Sequence, residues 1–125
     1  MDDARRFLPL SAQQFQILLA LSDGHRHGYG IIQEIAERTA GATRLGTGTL
    51  YTAIAGLVDS GLISESSRKP AADDDQRRRY YRLTPLGRRV LEAEAARLDT
   101  LVRQARRKGI GAGARPALSD LSRVK

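Results

Sequence analysis

Two groups of side chains in the sequence have the chemistry to bind a polyanion without any covalent step. The first is a run of hydroxyl groups, carried by Thr47, Thr49, Tyr51 and Thr52. Their methyl and hydroxyl groups can contact base edges in a DNA groove, and the hydroxyls also reach phosphates. Tyr29, at the start of another predicted helix, adds a hydroxyl that can bind a backbone phosphate.

The second group is a set of cations that flanks a polar stretch and suits phosphates or a narrow minor groove. Its members are Arg68, Lys69, Arg77, Arg78 and Arg79. The chain as a whole has 21 Lys and Arg against 14 Asp and Glu, a formal net charge of +7. This excess favours nucleic acid as the partner over a membrane surface.

Each group also has an ordinary structural explanation, which the sequence alone leaves open. Thr47 and Thr49 are suitable helix-capping residues, and Tyr51 can simply pack against the core. The run Asp73–Asp75 lies between the cations and can pair with them. The cations would then form a solvated loop rather than a binding surface.

The composition argues against an enzyme and against a metal or cofactor site. The chain has no cysteine, which excludes thiolate ligands. His25 and His27 lack the third ligand that zinc requires. The segment Gly46–Thr49 has neither the lysine nor the preceding strand of a phosphate-binding loop, and no serine sits in a nucleophile-elbow setting. We therefore expect no catalytic residue, metal or cofactor.

The hydropathy pattern predicts a protein that does not enter a membrane. The longest apolar run, Ile17–Leu21, is far shorter than the roughly 20 residues that span a bilayer. The first residues lack the apolar region of a secretory signal. We expect a cytoplasmic, nucleoid-associated protein.

Local signals predict three helices, two strands and a long helix. Ser11 and Gln14 form a capping box at the start of the first helix, which a turn at Ser22–Gly24 ends. The remaining elements are helices at Tyr29–Ala40 and Thr47–Ser60, strands at Leu62–Ser66 and Arg79–Leu83, and a helix from Pro85, capped by Thr84, to about Lys108.

This order predicts a mainly α (α+β) fold, a winged helix-turn-helix domain followed by a long C-terminal helix. The third helix should bury Leu50, Ile54, Leu57 and Val58, and Gly41 and Gly61 should end the second and third helices. The predicted organisation is an arm (1–9), a DNA-binding domain (10–84), a dimerisation helix (85–108) and a flexible tail (109–125).

The last helix has an apolar stripe that is longer than so small a domain needs. A helix of roughly 24 residues extends about 36 Å. We interpret the stripe as the seam of a homodimer, although it could also fold onto its own domain. The seam residues are Leu91, Ala95, Leu98, Leu101, Val102 and Ala105.

Four motifs in register resemble the PadR-like transcriptional regulators, over roughly residues 10–107. They are His27–Ile31 (HGYGI), Gly48–Tyr51 (GTLY), Gly61–Ile63 (GLI) and Tyr80–Gly87 (YYRLTPLG). The resemblance implies a winged-helix homodimer that binds double-stranded operator DNA, usually as a repressor, through a C-terminal dimer helix. It also implies a small hydrophobic or aromatic effector, since some members release DNA when such a compound binds. A single C-terminal helix resembles the short subfamily.

The third helix departs from the family pattern. Members often have proline after the Leu-Tyr pair, where this chain has Thr52, and many carry a basic residue near Ala55–Asp59. No Lys or Arg occurs from Thr47 to Gly61. We therefore expect charge outside this helix to supply affinity, and its hydroxyls to supply specificity. A nonspecific nucleoid-type DNA binder and a winged-helix protein-interaction module remain alternatives.

Overall fold

The structure is a computed structural model that describes residues 4–67 and 78–111. In chain order its elements are a 3-10 helix (Ala4–Phe7), α1 (Ala12–Ala20), β1 (Arg26–His27), α2 (Gly28–Arg38), α3 (Thr47–Asp59), β2 (Ile63–Glu65), β3 (Tyr80–Leu83) and α4 (Pro85–Arg107). This order confirms the predicted winged-helix fold class. The predicted contacts Arg68, Lys69 and Arg77 lie outside the described residues.

Helix ends follow the predicted capping chemistry with one exception. The Ser11 side chain accepts from Gln14 N–H, and the Gln14 side chain accepts from Ser11 N–H, so the capping box is confirmed. Gly61, at φ +80°, ends α3 as expected. At the end of α2, however, the left-handed region begins at Ala40, with φ 51°, one residue before the predicted Gly41, which also has a positive φ of 83°. The Gly41 N–H donates back to Ala36, which closes the helix.

A third strand, β1, was missing from the prediction, which has no element between the turn at Ser22–Gly24 and the helix that begins at Tyr29. The sheet is antiparallel with the order β1-β3-β2, so β3 is central. Arg26 pairs with Tyr81 and His27 with Tyr80. A strand of two residues is too short to show alternation, and only its distant partner defines it.

The core lies between the three short helices, the sheet and the first part of α4. Ile17, Leu18, Ile31, Leu50 and Leu62 are among its fully buried members. On β3 Tyr81 is buried while Arg82 faces solvent, as expected for neighbouring residues of a strand.

Val58 differs from its predicted place in the core, since 39% of its surface is exposed. Leu50, Ile54 and Leu57 occupy a narrow arc of α3, and all three are buried. At 100° per residue, Val58 lies about 80° from Leu50, at the edge of that arc. The apolar face of α3 is therefore narrower than the sequence pattern predicted.

The start of α4 is fixed to β2 through a short network around Leu62. Thr84 N–H donates to the Leu62 carbonyl at 3.1 Å. The Thr84 hydroxyl donates to the Gly61 carbonyl at 2.6 Å, with the Leu62 carbonyl 3.1 Å away as a weaker second acceptor. The Thr84 hydroxyl also accepts from Gly87 N–H at 2.9 Å, which confirms Thr84 as the cap. Gly87 packs directly on Leu62, so that any Cβ there would overlap the Leu62 carbonyl.

The chain divides into two compact units, Met1–Ala93 and Glu94–Lys125, so the division falls inside α4. The first unit contains the sheet and the core, including Val90 and Leu91. In the second unit, Glu94 is buried and accepts two hydrogen bonds from the Arg97 guanidinium. Within the described residues, none of the helices combines the length and apolar character needed to span a membrane.

Candidate nucleic-acid interface

The N-terminal half of α3 presents its hydroxyl groups to solvent. Thr47, Thr49, Tyr51 and Thr52 are all exposed, and 44% of the Tyr51 surface is accessible. Leu50 and Ile54, on the side away from Thr49 and Thr52, are buried and anchor this segment in the core. The helix therefore holds four hydroxyl groups on a rigid backbone, in an arrangement that can enter a DNA groove.

The capping explanation for the threonines does not apply to α3. Its N-cap residue is Gly46, in extended conformation, and no described side chain accepts a hydrogen bond there. The first amide groups of the helix consequently point outward beside Thr47 and Thr49. Such amides, together with the helix dipole, favour an anionic oxygen.

Tyr51 also has a structural contact, because its phenol lies against the backbone at the start of α2. A Cβ on Gly28 would overlap the Tyr51 hydroxyl and ring. The contact brings the N-terminus of α2 close to the exposed face of α3. Tyr29 is the next residue along α2, with 53% of its surface exposed. The structure thus places two of the predicted contacts, Tyr29 and Tyr51, on neighbouring segments.

The base of the wing, formed by β2 and β3, meets the same region through His27. The His27 side chain caps α2, since its Nδ1 accepts from Gly30 N–H at 2.9 Å. The ring also packs edge-on against Tyr80, with centroids 5.2 Å apart. Arg78 Nη1 lies 3.0 Å from His27 Nε2, and its guanidinium is 5.8 Å from the centre of the Tyr29 ring. His27 therefore serves as the cap of α2, and Arg78 lies beside Tyr29.

Arg79 has an acidic partner that the sequence analysis did not identify. Its Nη1 lies 3.2 Å from a carboxylate oxygen of Glu65 on the adjacent strand. Both side chains are largely exposed, and such pairs contribute little. The predicted pairing of the wing cations with Asp73–Asp75 lies outside the described residues.

Among the residues of the predicted dimer seam, Leu91 has a different environment from the others. Leu91 is only 5% exposed and belongs to the core of the first unit. The other seam residues lie in the second unit, where Ala105 is half-buried and Ala95, Leu98, Leu101 and Val102 are exposed. Gly109, at φ +80°, ends α4, and the exposed Ile110 follows it.

A depression next to α3 was missed by sequence reasoning. It is lined by the exposed side of α3 and by residues of both β2 and β3, and its volume is about 270 Å³. Burial raises the pKa of the Tyr81 phenol in its lining, and the nearby Tyr51 and Glu65 act in the same direction. The one feature of the sequence that could have pointed to this depression is Asp59, the single charged residue of α3. Among the described residues, no group of three or more His, Asp or Glu side chains is arranged to hold a metal ion.

A comparison with protein families gives a match over most of the chain. The model of the "Transcriptional regulator PadR-like family" matches residues 17–93. A curated relative, an uncharacterised 37.1 kDa protein in transposon TN4556 of Streptomyces fradiae, is 43% identical over 82 residues. The match covers 66% of this chain and 21% of that protein, so the chain spans about a fifth of the relative's length.

Solved structures share the fold. A transcriptional regulator from Clostridium thermocellum is 26% identical with a TM-score of 0.65, over 86% of this chain and 93% of that one. PadR from Bacillus subtilis, solved in complex with operator DNA, is 23% identical with a TM-score of 0.57, over 66% of this chain and 46% of that one.

Proposed function

Because the chain belongs to the PadR-like family of transcriptional regulators, we propose that this DNA-binding regulator acts as a homodimeric repressor on a roughly palindromic operator. Repression would follow from occupation of a promoter by the bound dimer. Half-sites should be separated by one turn of the DNA helix or a multiple of it. An operator-binding protein works beside the chromosome, so we place it in the cytoplasm with the nucleoid.

The observation that carries this proposal is the exposed hydroxyl face of α3. Thr49 and Thr52 project from a helix whose other face is anchored by Leu50 and Ile54. Threonine methyl groups pack on thymine methyls, and the hydroxyls bond to base edges or phosphates. Because α3 carries no cation, these contacts discriminate among sequences through shape and hydrogen bonding more than through charge.

Affinity would come from cations and hydroxyls around α3. Arg78 and Tyr29 lie together at the start of α2. Arg79 pairs with Glu65 at the surface, so it can exchange that partner for a phosphate. Arg68, Lys69 and Arg77 are proposed for the same role on sequence grounds. Each phosphate contact releases counterions and so makes binding depend on salt. The likeness of fold to the B. subtilis protein in its operator complex supports this assignment.

A homodimer is supported by the exposed apolar residues of the second unit. Leu98, Leu101 and Val102 are large, accessible and spaced to share one side of α4. We propose that they form the seam together with Ala95 and Ala105, and we leave Leu91 out because it serves the core. Replacing Leu101 with Glu should convert the dimer to a monomer in sedimentation velocity. Thr100→Glu adds the same charge at the preceding exposed position and should leave the dimer intact.

Selection of duplexes from a random library tests sequence-specific binding. A regulator should enrich one motif with two related half-sites and bind it at least about a thousandfold more tightly than random duplex. Thr49→Ala should change the enriched motif, whereas Thr100→Ala on α4 should leave it unchanged. Enrichment of no motif, with retained salt-dependent binding, would support the nonspecific DNA binder instead.

The protein-interaction alternative and the effector are tested separately. Failure to bind any duplex at low salt would refute both DNA-binding proposals and favour a protein partner for α3. The small hydrophobic or aromatic effector is a prediction from the family resemblance. It predicts that one compound of a broad aromatic panel releases the selected duplex, and uniformly flat release curves would indicate a constitutive repressor.

A further inference from the structure

The depression beside α3 has the size and lining of a site for a small organic molecule. One wall is the C-terminal half of α3, and the opposite side comes from the wing base. The lining residues are Tyr51, Ile54, Ala55, Val58, Asp59, Glu65, Arg79 and Tyr81. At about 270 Å³ the depression lies just below the usual range of ligand pockets, about 300–1,000 Å³. It fits a one- or two-ring compound.

The walls offer two aromatic rings and an aliphatic side. Tyr51 and Tyr81 supply the phenol rings, of which Tyr81 is 8% exposed. Val58 and Ala55 supply exposed aliphatic surface on α3. A flat aromatic ligand would therefore make dispersion contacts with the valine and ring contacts with the two phenols.

The charge of the lining selects the sign of the ligand. Glu65 is paired with Arg79, which leaves the carboxylate of Asp59 as the excess charge. The lining is therefore negative in a chain whose formal net charge is +7. An anionic ligand would have to displace Glu65 from Arg79, while a cation would be attracted directly by Asp59 and could pack against the phenol rings.

We propose that this pocket binds a small aromatic cation, an ammonium or amidinium group on a flat ring system, and that the bound cation competes with DNA at α3. The competition rests on the proposed function, because Tyr51 lines the pocket and is also a proposed DNA contact. A ligand against the Tyr51 ring would occupy the surface between α3 and the wing base and would hold that side chain away from DNA.

Binding is tested first on the free protein, because aromatic cations also bind DNA. The probes are 2-naphthylmethylammonium, the neutral 2-naphthylmethanol and the anionic 2-naphthoate. Calorimetry measures the affinity of each probe, and backbone amide shifts in NMR locate where it binds. We expect the ammonium to bind most tightly and the carboxylate most weakly, with shifts at Ala55, Val58 and Asp59. Equal affinity for the three probes, or shifts confined to other residues, would overturn the proposal.

Two variants with matched controls assign the effect to the pocket. Asp59→Asn should weaken ammonium binding about fivefold and leave the alcohol unchanged, as expected for one surface charge. Glu37→Gln removes an equal charge from exposed α2 and should change neither. Ala55→Leu fills the pocket and should weaken both probes at least about tenfold, while Ala12→Leu, at an exposed position of α1, should not. Unchanged probe binding in Asp59→Asn and Ala55→Leu would refute the site.

Displacement of DNA tests the regulatory half of the proposal. The ammonium should release a bound duplex from the wild-type protein, and release from Asp59→Asn should need about fivefold more ammonium. Release at the same concentration from both proteins would mean that the cation acts on the DNA, and would refute the competition. If the protein binds the ammonium but no duplex, the proposed function fails and the pocket stands.

Discussion

Two glycines in helices, Gly87 and Gly56, should respond in opposite directions when each is replaced by alanine. Helix propensity alone favours alanine over glycine by up to about 1 kcal/mol at either position. At Gly56 no described atom lies within 4 Å of the added Cβ, so the gain should be realised. At Gly87 the Cβ would overlap the Leu62 carbonyl, which belongs to the backbone and cannot rotate away.

The expected loss of stability in Gly87→Ala comes from the atoms that must move to accommodate the added Cβ. Forcing extra volume into a packed contact costs typically about 1–3 kcal/mol, which outweighs the gain in propensity. The shift would also disturb the Thr84 N–H bond to the Leu62 carbonyl, which is worth about 1 kcal/mol. We therefore expect Gly87→Ala to lower the free energy of unfolding by about 1–3 kcal/mol. Gly56→Ala should raise it by up to about 1 kcal/mol.

Urea unfolding followed by far-ultraviolet circular dichroism gives both values. All proteins must be compared at one concentration, because the proposed dimer would make stability depend on it. A Gly87→Ala protein as stable as the wild type would refute the close packing of α4 on β2. Loss of stability in Gly56→Ala would refute the open surroundings of that position, since alanine is the better helix former.

Three further perturbations follow from single contacts. Ala40→Gly should stabilise the protein by about 0.5–1 kcal/mol in urea unfolding, because φ 51° is costly for alanine, while Ala42→Gly should bring no gain. Burial raises the pKa of Tyr81 in the folded state, so its contribution to stability is complete at about pH 9 and is lost as the pH rises through the folded pKa. Tyr81→Phe should therefore lose less stability than the wild type between about pH 9 and pH 11, and an equal loss would contradict the assignment to Tyr81. Arg78→Ala should reduce the slope of log affinity against log salt by about one, and Arg103→Ala on α4 should leave it unchanged.

The elements that local chemistry defines could be predicted from the sequence. The capping box at Ser11, the Thr84 cap and the end of α3 at Gly61 each depend on residues within a few positions of one another. The lengths of α3 and α4 could be predicted for the same reason, because amphipathic spacing relates residues only a few positions apart. The hydroxyl face of α3 follows directly, because the buried Leu50 and Ile54 determine which side is exposed.

The features that depend on distant partners could not be predicted. β1 exists only because Tyr80 and Tyr81 lie beside it, and the pocket exists only because Val58 and the wing base face each other. The end of α2 was misplaced by one residue because alanine seldom takes the left-handed position, and here Ala40 takes it ahead of Gly41. The setting of Leu91 in the core also needed the structure, since the apolar stripe of α4 does not say which unit a residue joins.

His27 contacts parts of the chain that are far apart in the sequence. It caps α2, pairs with Tyr80 in the sheet, and lies beside Arg78, which is 51 residues away in sequence. The first turn of α2 and the base of the wing should therefore open as one cooperative unit. In hydrogen exchange, the amides of Gly30 and Tyr81 should then share one opening free energy, so that the protein would lose both of these candidate contact regions together.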